Sequence, residues 1–122
     1  MNFPVYTILE KQLATEQPSL RLVLELDPEL DFFDGHFEQV PILPAVAQLY
    51  IVNKLANQYF LINKGFCGLR QLKFMSPIQP KDPAQLHIQY NPLKEQLSFF
   101  YEVKGQVKSK GILLYQLDKT HE

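Results

Sequence analysis

Pro44-Ala45-Val46-Ala47-Gln48-Leu49-Tyr50-Ile51-Val52-Asn53-Lys54-Leu55-Ala56-Asn57-Gln58-Tyr59-Phe60 is the stretch that decides the fold. Apolar residues occupy almost every face of the helix it predicts, and a helix of that kind is buried rather than amphipathic. Proline at the first helical position costs nothing, because the N–H it lacks has no acceptor within the helix. Leu43 precedes it, so no Ser, Thr, Asp or Asn side chain caps the start. The first-turn N–H donors are left for water, a carbonyl oxygen or an anion.

Working outward, strands flank this helix on both sides. Leu20, Leu22, Leu24 and Leu26 alternate with Arg21, Val23 and Glu25, the period of a half-buried strand. A weaker strand is expected over Tyr6 to Ala14, joined to it through Glu16-Gln17-Pro18, and Asp27-Pro28 ends the pair. After Lys64-Gly65, Phe66 to Phe74 reads as a strand. Leu86, Ile88 and Tyr90 form one alternating face, and Leu97, Phe99, Tyr101 and Val103 another, with Asn91-Pro92 turning between them. Gly105 is expected at a bulge, and Ser109-Lys110-Gly111 at a turn into a last strand from Ile112 to Leu117. Short connections favour antiparallel pairing. The expected architecture is α+β: a curved antiparallel sheet of five or six strands wrapped around one long helix, in a single domain spanning residues 1–122. One sheet around one helix makes a thin core with open edges, which favours pairing of two chains.

Composition narrows the function classes. The chain has 122 residues, 46% of them hydrophobic and 20% charged, an ordinary balance for a globular protein. A formal net charge of −1 gives no global attraction to nucleic acid or to an anionic membrane. The longest apolar run is too short to span a bilayer, and no basic and apolar leader opens the chain, so a cytoplasmic protein is expected. Cys67, the single cysteine, rules out an internal disulfide or a multi-cysteine zinc site and reads as a small buried hydrophobe. His87, between Gln85 and Gln89, reads as solvated, and His121 lies in a polar tail. The histidines therefore do not converge on a metal, and no cofactor is called for.

The third histidine is different. Phe32-Phe33-Asp34-Gly35-His36-Phe37 sets His36 in an aromatic loop that runs through Pro41-Ile42-Leu43-Pro44 into the helix. An imidazole beside the free N–H groups of a helix start can remove a proton next to a polarised carbonyl. Asp34 reads as a turn residue, and the phenylalanines as packing around the loop.

Gly35-His36-Phe37, Pro41-Ile42-Leu43-Pro44 and Val46-Ala47-Gln48 resemble the signature of the β-hydroxyacyl-acyl-carrier-protein dehydratases, which have the hot-dog fold. Lys73-Phe74-Met75-Ser76-Pro77-Ile78-Gln79-Pro80-Lys81-Asp82 is similar to a second block of that family. The resemblance spans roughly residues 32–90 by motif and suggests a small variant of fatty-acid or aryl-polyene type. It implies dehydration of a β-hydroxyacyl thioester carried on the phosphopantetheine arm of acyl carrier protein, in a homodimer or a trimer of such dimers. His36 would be the base, with Gly35, Phe37, Pro44, Ala45, Val46 and Gln48 around the substrate, and the N–H of Ala45 or Val46 would bind the thioester oxygen. Gln48 is expected to hydrogen-bond across a dimer interface or to orient a water.

The chain departs from that pattern at particular positions. The helix carboxylate of the family, two residues beyond the position of Gln48, is Tyr50 here. A phenol, with an ordinary pKa of about 10, donates a hydrogen bond but is a weak substitute for an acid. Loss of a positioned acid removes roughly 10²–10⁴ in rate. Glu38 stands where the family has proline, and Ala45 and Lys81 replace glycines. Two alternatives follow: a hot-dog thioesterase, or an acyl-binding partner subunit without its acid. Arg70, Lys73, Lys104, Lys108 and Lys110 are candidates for facing an acidic carrier protein.

Overall fold

The computed structural model describes residues 6–14, 18–26, 42–62, 64–79 and 83–116. Two strands, β1 (Tyr6–Ala14) and β2 (Ser19–Leu26), precede helix α1 (Ala45–Phe60). Four follow: β3 (Gly65–Phe74), β4 (Ala84–Asn91), β5 (Gln96–Val103) and β6 (Gln106–Gln116). They form one six-stranded sheet in the order β1-β2-β4-β5-β6-β3, antiparallel throughout. The helix thus carries the chain from one half of the sheet to its far edge, and β4 to β6 fill the gap.

Alternation places the core. Leu20, Leu22 and Leu24 of β2 turn inward with Leu86 and Ile88 of β4, Leu97, Phe99 and Tyr101 of β5, and Leu113 and Tyr115 of β6. They close on Ala47, Ile51, Val52, Leu55 and Ala56 of α1, forming a single cluster. Each such aliphatic side chain contributes about 1.5–3 kcal/mol by leaving water. Among the described residues no helix is long and apolar enough to cross a membrane.

Several local expectations are corrected. The helix begins at Ala45, and Pro44 is its N-cap, in extended backbone at φ −64°, ψ 156°. Nor is α1 buried all round: Val46 is 60% exposed, because the sheet covers the Ala47–Ile51–Leu55 side and leaves the neighbouring face open. Gly105 lies in a two-residue turn rather than a bulge. Lys104 and Gly105 both have positive φ, 52° and 79°, matching the type I′ hairpin that follows the twist of its strands.

Ser109-Lys110-Gly111 is not a turn, since β6 runs through it without a break. The pairing of β3 with β6 slips by one residue between Arg70 and Lys73, opposite Gly111. Gln71 takes φ 53° there, and Leu72 passes over Gly111 so closely that a Cβ at that glycine would lie 2.6 Å from Leu72 Cδ1. Gly111 is small because a bulge leans on it. Cys67 is exposed rather than buried, on β3, an edge strand among the described residues that is exposed along most of its length.

Candidate active site

Among the described residues, the start of α1 is a set of open donors. Pro44 makes no side-chain capping bond, and the first turn holds no acidic residue. The first helical hydrogen bond runs from Gln48 N to Pro44 O, at 3.0 Å. The N–H groups of Ala45, Val46 and Ala47 come before it, and Ala45 and Val46 are exposed. Such an end carries partial positive charge and suits an oxygen that gains negative charge.

Gln48 holds this end in place. It is only 3% exposed; its Nε2 donates to Leu43 O at 3.0 Å, and its Oε1 accepts from Ser109 Oγ at 2.7 Å. Its backbone carbonyl accepts from the Tyr101 hydroxyl at 2.7 Å. Burial, and secondarily Tyr6, pushes the Tyr101 phenol well above its ordinary pKa, so it stays a neutral donor. Leu43 N donates to Ile78 O at 2.8 Å, which ties the approach to the helix to the segment after β3. Both ends of the Gln48 carboxamide thus have partners within its own chain.

A groove of about 250 Å³ opens from this end along α1. Val46, Leu49, Tyr50 and Asn53 form one wall at spacings of three and four, with Phe66 and Leu69 of β3 opposite and Leu113 at the base. Tyr50 is half-buried in that wall. The Tyr6 phenol is raised above its ordinary pKa by burial first, and then by Tyr50 and Tyr59. The structure therefore gathers Pro44, Ala45, Val46, Gln48 and Tyr50 around one helix end. Gly35, His36 and Phe37 lie outside the described residues, as do Phe32, Phe33, Asp34, Glu38, Lys81 and His121. Asn53 was missed by motif reading, although its place three residues after Tyr50 was a sufficient signal.

His87 is a separate feature. It is not fully solvated, since its ring stacks on Phe100 at 4.2 Å on the outer face of the sheet. Its Nε2 is buried with no hydrogen-bond partner among the described residues, 3.9 Å from Glu102. Burial lowers its pKa, more than Glu102 raises it, and Arg21 lowers it further. The core-facing neighbours Leu86 and Ile88 point the other way, so His87 faces away from the groove.

A six-stranded antiparallel sheet around one long helix, with the helix end open at the head of a groove, defines a hot-dog domain. The chain belongs to the ApeI-like family, described as ApeI dehydratase, whose model matches residues 11–112. Among curated proteins it is similar to the 3-hydroxyacyl-acyl-carrier-protein dehydratase FabZ of Roseiflexus castenholzii, 28% identical over 90% of this chain and 82% of that one. The FabZ of Lactococcus lactis subsp. cremoris is 27% identical over 73% of this chain and 69% of its own length. Among solved structures, a chain of the dehydratase heterocomplex ApeI:P from Xenorhabdus doucetiae superposes with a TM-score of 0.81 at 30% identity, covering 92% of this chain and 96% of that one. An uncharacterised protein from Erwinia carotovora subsp. atroseptica gives the same TM-score, 0.81, at 28% identity over 95% of this chain and 98% of that one.

Proposed function

We propose that this protein is a β-hydroxyacyl-acyl-carrier-protein dehydratase, eliminating water from a β-hydroxyacyl thioester to give the trans-2-enoyl thioester. The carrying observation is the uncapped end of α1 at the head of an apolar groove, in a chain of the ApeI-like dehydratase family. The thioester oxygen accepts from the N–H of Ala45 or Val46, which acidifies the adjacent C–H. His36 takes that proton, the freed electron pair forms the Cα–Cβ double bond, and the Cβ–O bond breaks. The departing hydroxyl leaves as water, with its proton supplied by His36 and the Tyr50 phenol donating a hydrogen bond to the oxygen.

The substrate arrives on the phosphopantetheine arm of a cytoplasmic acyl carrier protein, in chain building of fatty-acid or aryl-polyene type. Gly35, Phe37 and Pro44 are substrate-binding residues in this reading, and the working unit is a homodimer. Neither the thioesterase nor the impaired-subunit reading is favoured by membership of a dehydratase family.

The test is incubation with a β-hydroxyacyl carrier protein, following the loss of one water by mass, with His36→Ala alongside. Water loss by the wild type that falls by about 10²-fold or more in the variant is expected. Intact substrate after incubation with the wild type would refute the reading, and hydrolysis to the free acid would turn it to a thioesterase.

A further inference from the structure

The groove beside α1 is apolar apart from Tyr50 and Asn53, and the orientation of Asn53 is fixed by its neighbours. Asn57 Nδ2 donates to Asn53 O at 2.8 Å, and a backbone carbonyl can only accept, so this atom of Asn57 is its nitrogen. The same Nδ2 lies 3.1 Å from the side-chain atom of Asn53 that faces it, which must therefore be Oδ1. Tyr115 donates its hydroxyl to that oxygen at 2.6 Å. With Oδ1 held by two donors, the NH₂ of Asn53 is turned the other way and has no partner among the described residues. Asn53 stands in the wall of the groove, seven residues along the helix from Val46 and on the same face. At 1.5 Å per residue that is about 10 Å from the helix end.

We propose that Asn53 is a specificity-determining residue, whose oriented NH₂ donates to an oxygen on the distal part of the acyl chain, about two helical turns beyond the thioester. The inference rests on the dehydratase reading for the placement of the thioester at the start of α1. A purely hydrocarbon chain filling the groove would strip water from the amide and return nothing to it. A chain bearing a keto or hydroxyl oxygen at that depth replaces the lost water. The favoured ligand class is a medium-length acyl group carrying one distal acceptor, and Tyr115 is the positioning residue that keeps Asn53 aimed at it.

The probes are decanoyl pantetheine amides, unsubstituted or with a single keto oxygen at successive distal carbons. They lack a β-hydroxyl and a thioester, so binding is read without turnover. The wild type is expected to bind one keto isomer about 10-fold more tightly than the unsubstituted amide. Asn53→Leu loses that preference while binding the unsubstituted amide at least as well. Tyr115→Phe, which unpins the carboxamide, weakens the preference without abolishing chain binding, and it serves as the second variant if Asn53→Leu melts early. The proposal is overturned if the wild type prefers no keto isomer or binds none of the amides. It is also overturned if Asn53→Leu keeps the preference, or if that variant changes the oligomeric mass, which would show the amide spent on a second copy. Turnover of a plain β-hydroxydecanoyl carrier by the wild type separates the two readings. Turnover without a keto preference removes only the role of Asn53, and a keto preference without turnover removes only the dehydratase.

Discussion

Gln48 bonds through both ends of its carboxamide in the interior, one to the segment that enters α1 and the other to Ser109 on β6. Replacing it by leucine leaves Leu43 O and Ser109 Oγ without those partners. Unmet buried groups cost about 1–3 kcal/mol each, so Gln48→Leu is expected to lower unfolding stability by about 2–3 kcal/mol in urea titration. An unchanged midpoint would mean that the two groups find other partners. His87 makes a different prediction. Its folded pKa lies below the ordinary value, so as pH falls through about 6.5 the unfolded chain takes up the proton first. Stability contributed by neutral His87 is present above about 6.5 and is lost from there down to the lowered folded value. The melting temperature should fall more between pH 7.5 and 5.5 in the wild type than in His87→Gln, and equal falls would contradict the assignment. At this scale the sequence was legible in type but not in partner. Ser109, 61 positions away, cannot be placed beside Gln48 without the fold. His87 read as solvated because alternation shows its face, while Phe100 reaches it only through the pairing of β4 with β5.

The elements were legible wherever one face packs on the core. The alternation of Leu20-Leu22-Leu24, Leu86-Ile88 and Leu97-Phe99-Tyr101 reports burial directly, and each strand lies where its period put it. At β3 the strand lies where it was read but Cys67 is exposed, and at β6 the expected turn is continuous strand; the cause in both is geometric. An edge strand exposed on most of its length carries no clean alternation, and Gly111 looked like turn chemistry when it is clearance for Leu72. A methyl at Gly111 would also come within 3.1 Å of Phe99 Cε2 and 3.4 Å of Leu72 Cα, so rotation of the Leu72 side chain alone cannot relieve it. Gly111→Ala is expected to cost about 1–3 kcal/mol, as overpacking does. Leu72→Ala in the same chain should recover part of that cost, because the two changes share one contact. Denaturation of both single variants and the double variant checks this. Strict additivity would show that Leu72 and Gly111 do not press on each other.

At the scale of the whole molecule, the groove and the edge strand belong to one problem. Among the described residues β3 bonds only to β6, and its outer side has no strand partner there. Phe66 is 50% exposed, Leu69 41%, Phe74 42% and Met75 48% along the same edge, with Val46 of α1 nearby across the groove. An edge that is apolar and unpaired invites another strand, and a second copy supplies an identical one. Antiparallel pairing of β3 with its symmetry mate would join two six-stranded sheets and cover the open side of each groove, so acyl binding and dimerisation should fail together. Leu69→Lys sets a charge into that contact, and by symmetry a second like charge opposes it. The wild type is expected to run as a dimer by light scattering after gel filtration, and Leu69→Lys as a folded monomer. Affinity for a decanoyl pantetheine amide should drop in the variant by about 10-fold or more, since a groove open to water keeps little of its hydrophobic gain. A wild type that stays monomeric at micromolar concentration would remove β3 as an interface. A monomeric variant that binds the amide as tightly as the wild type would show that each chain holds its acyl group alone.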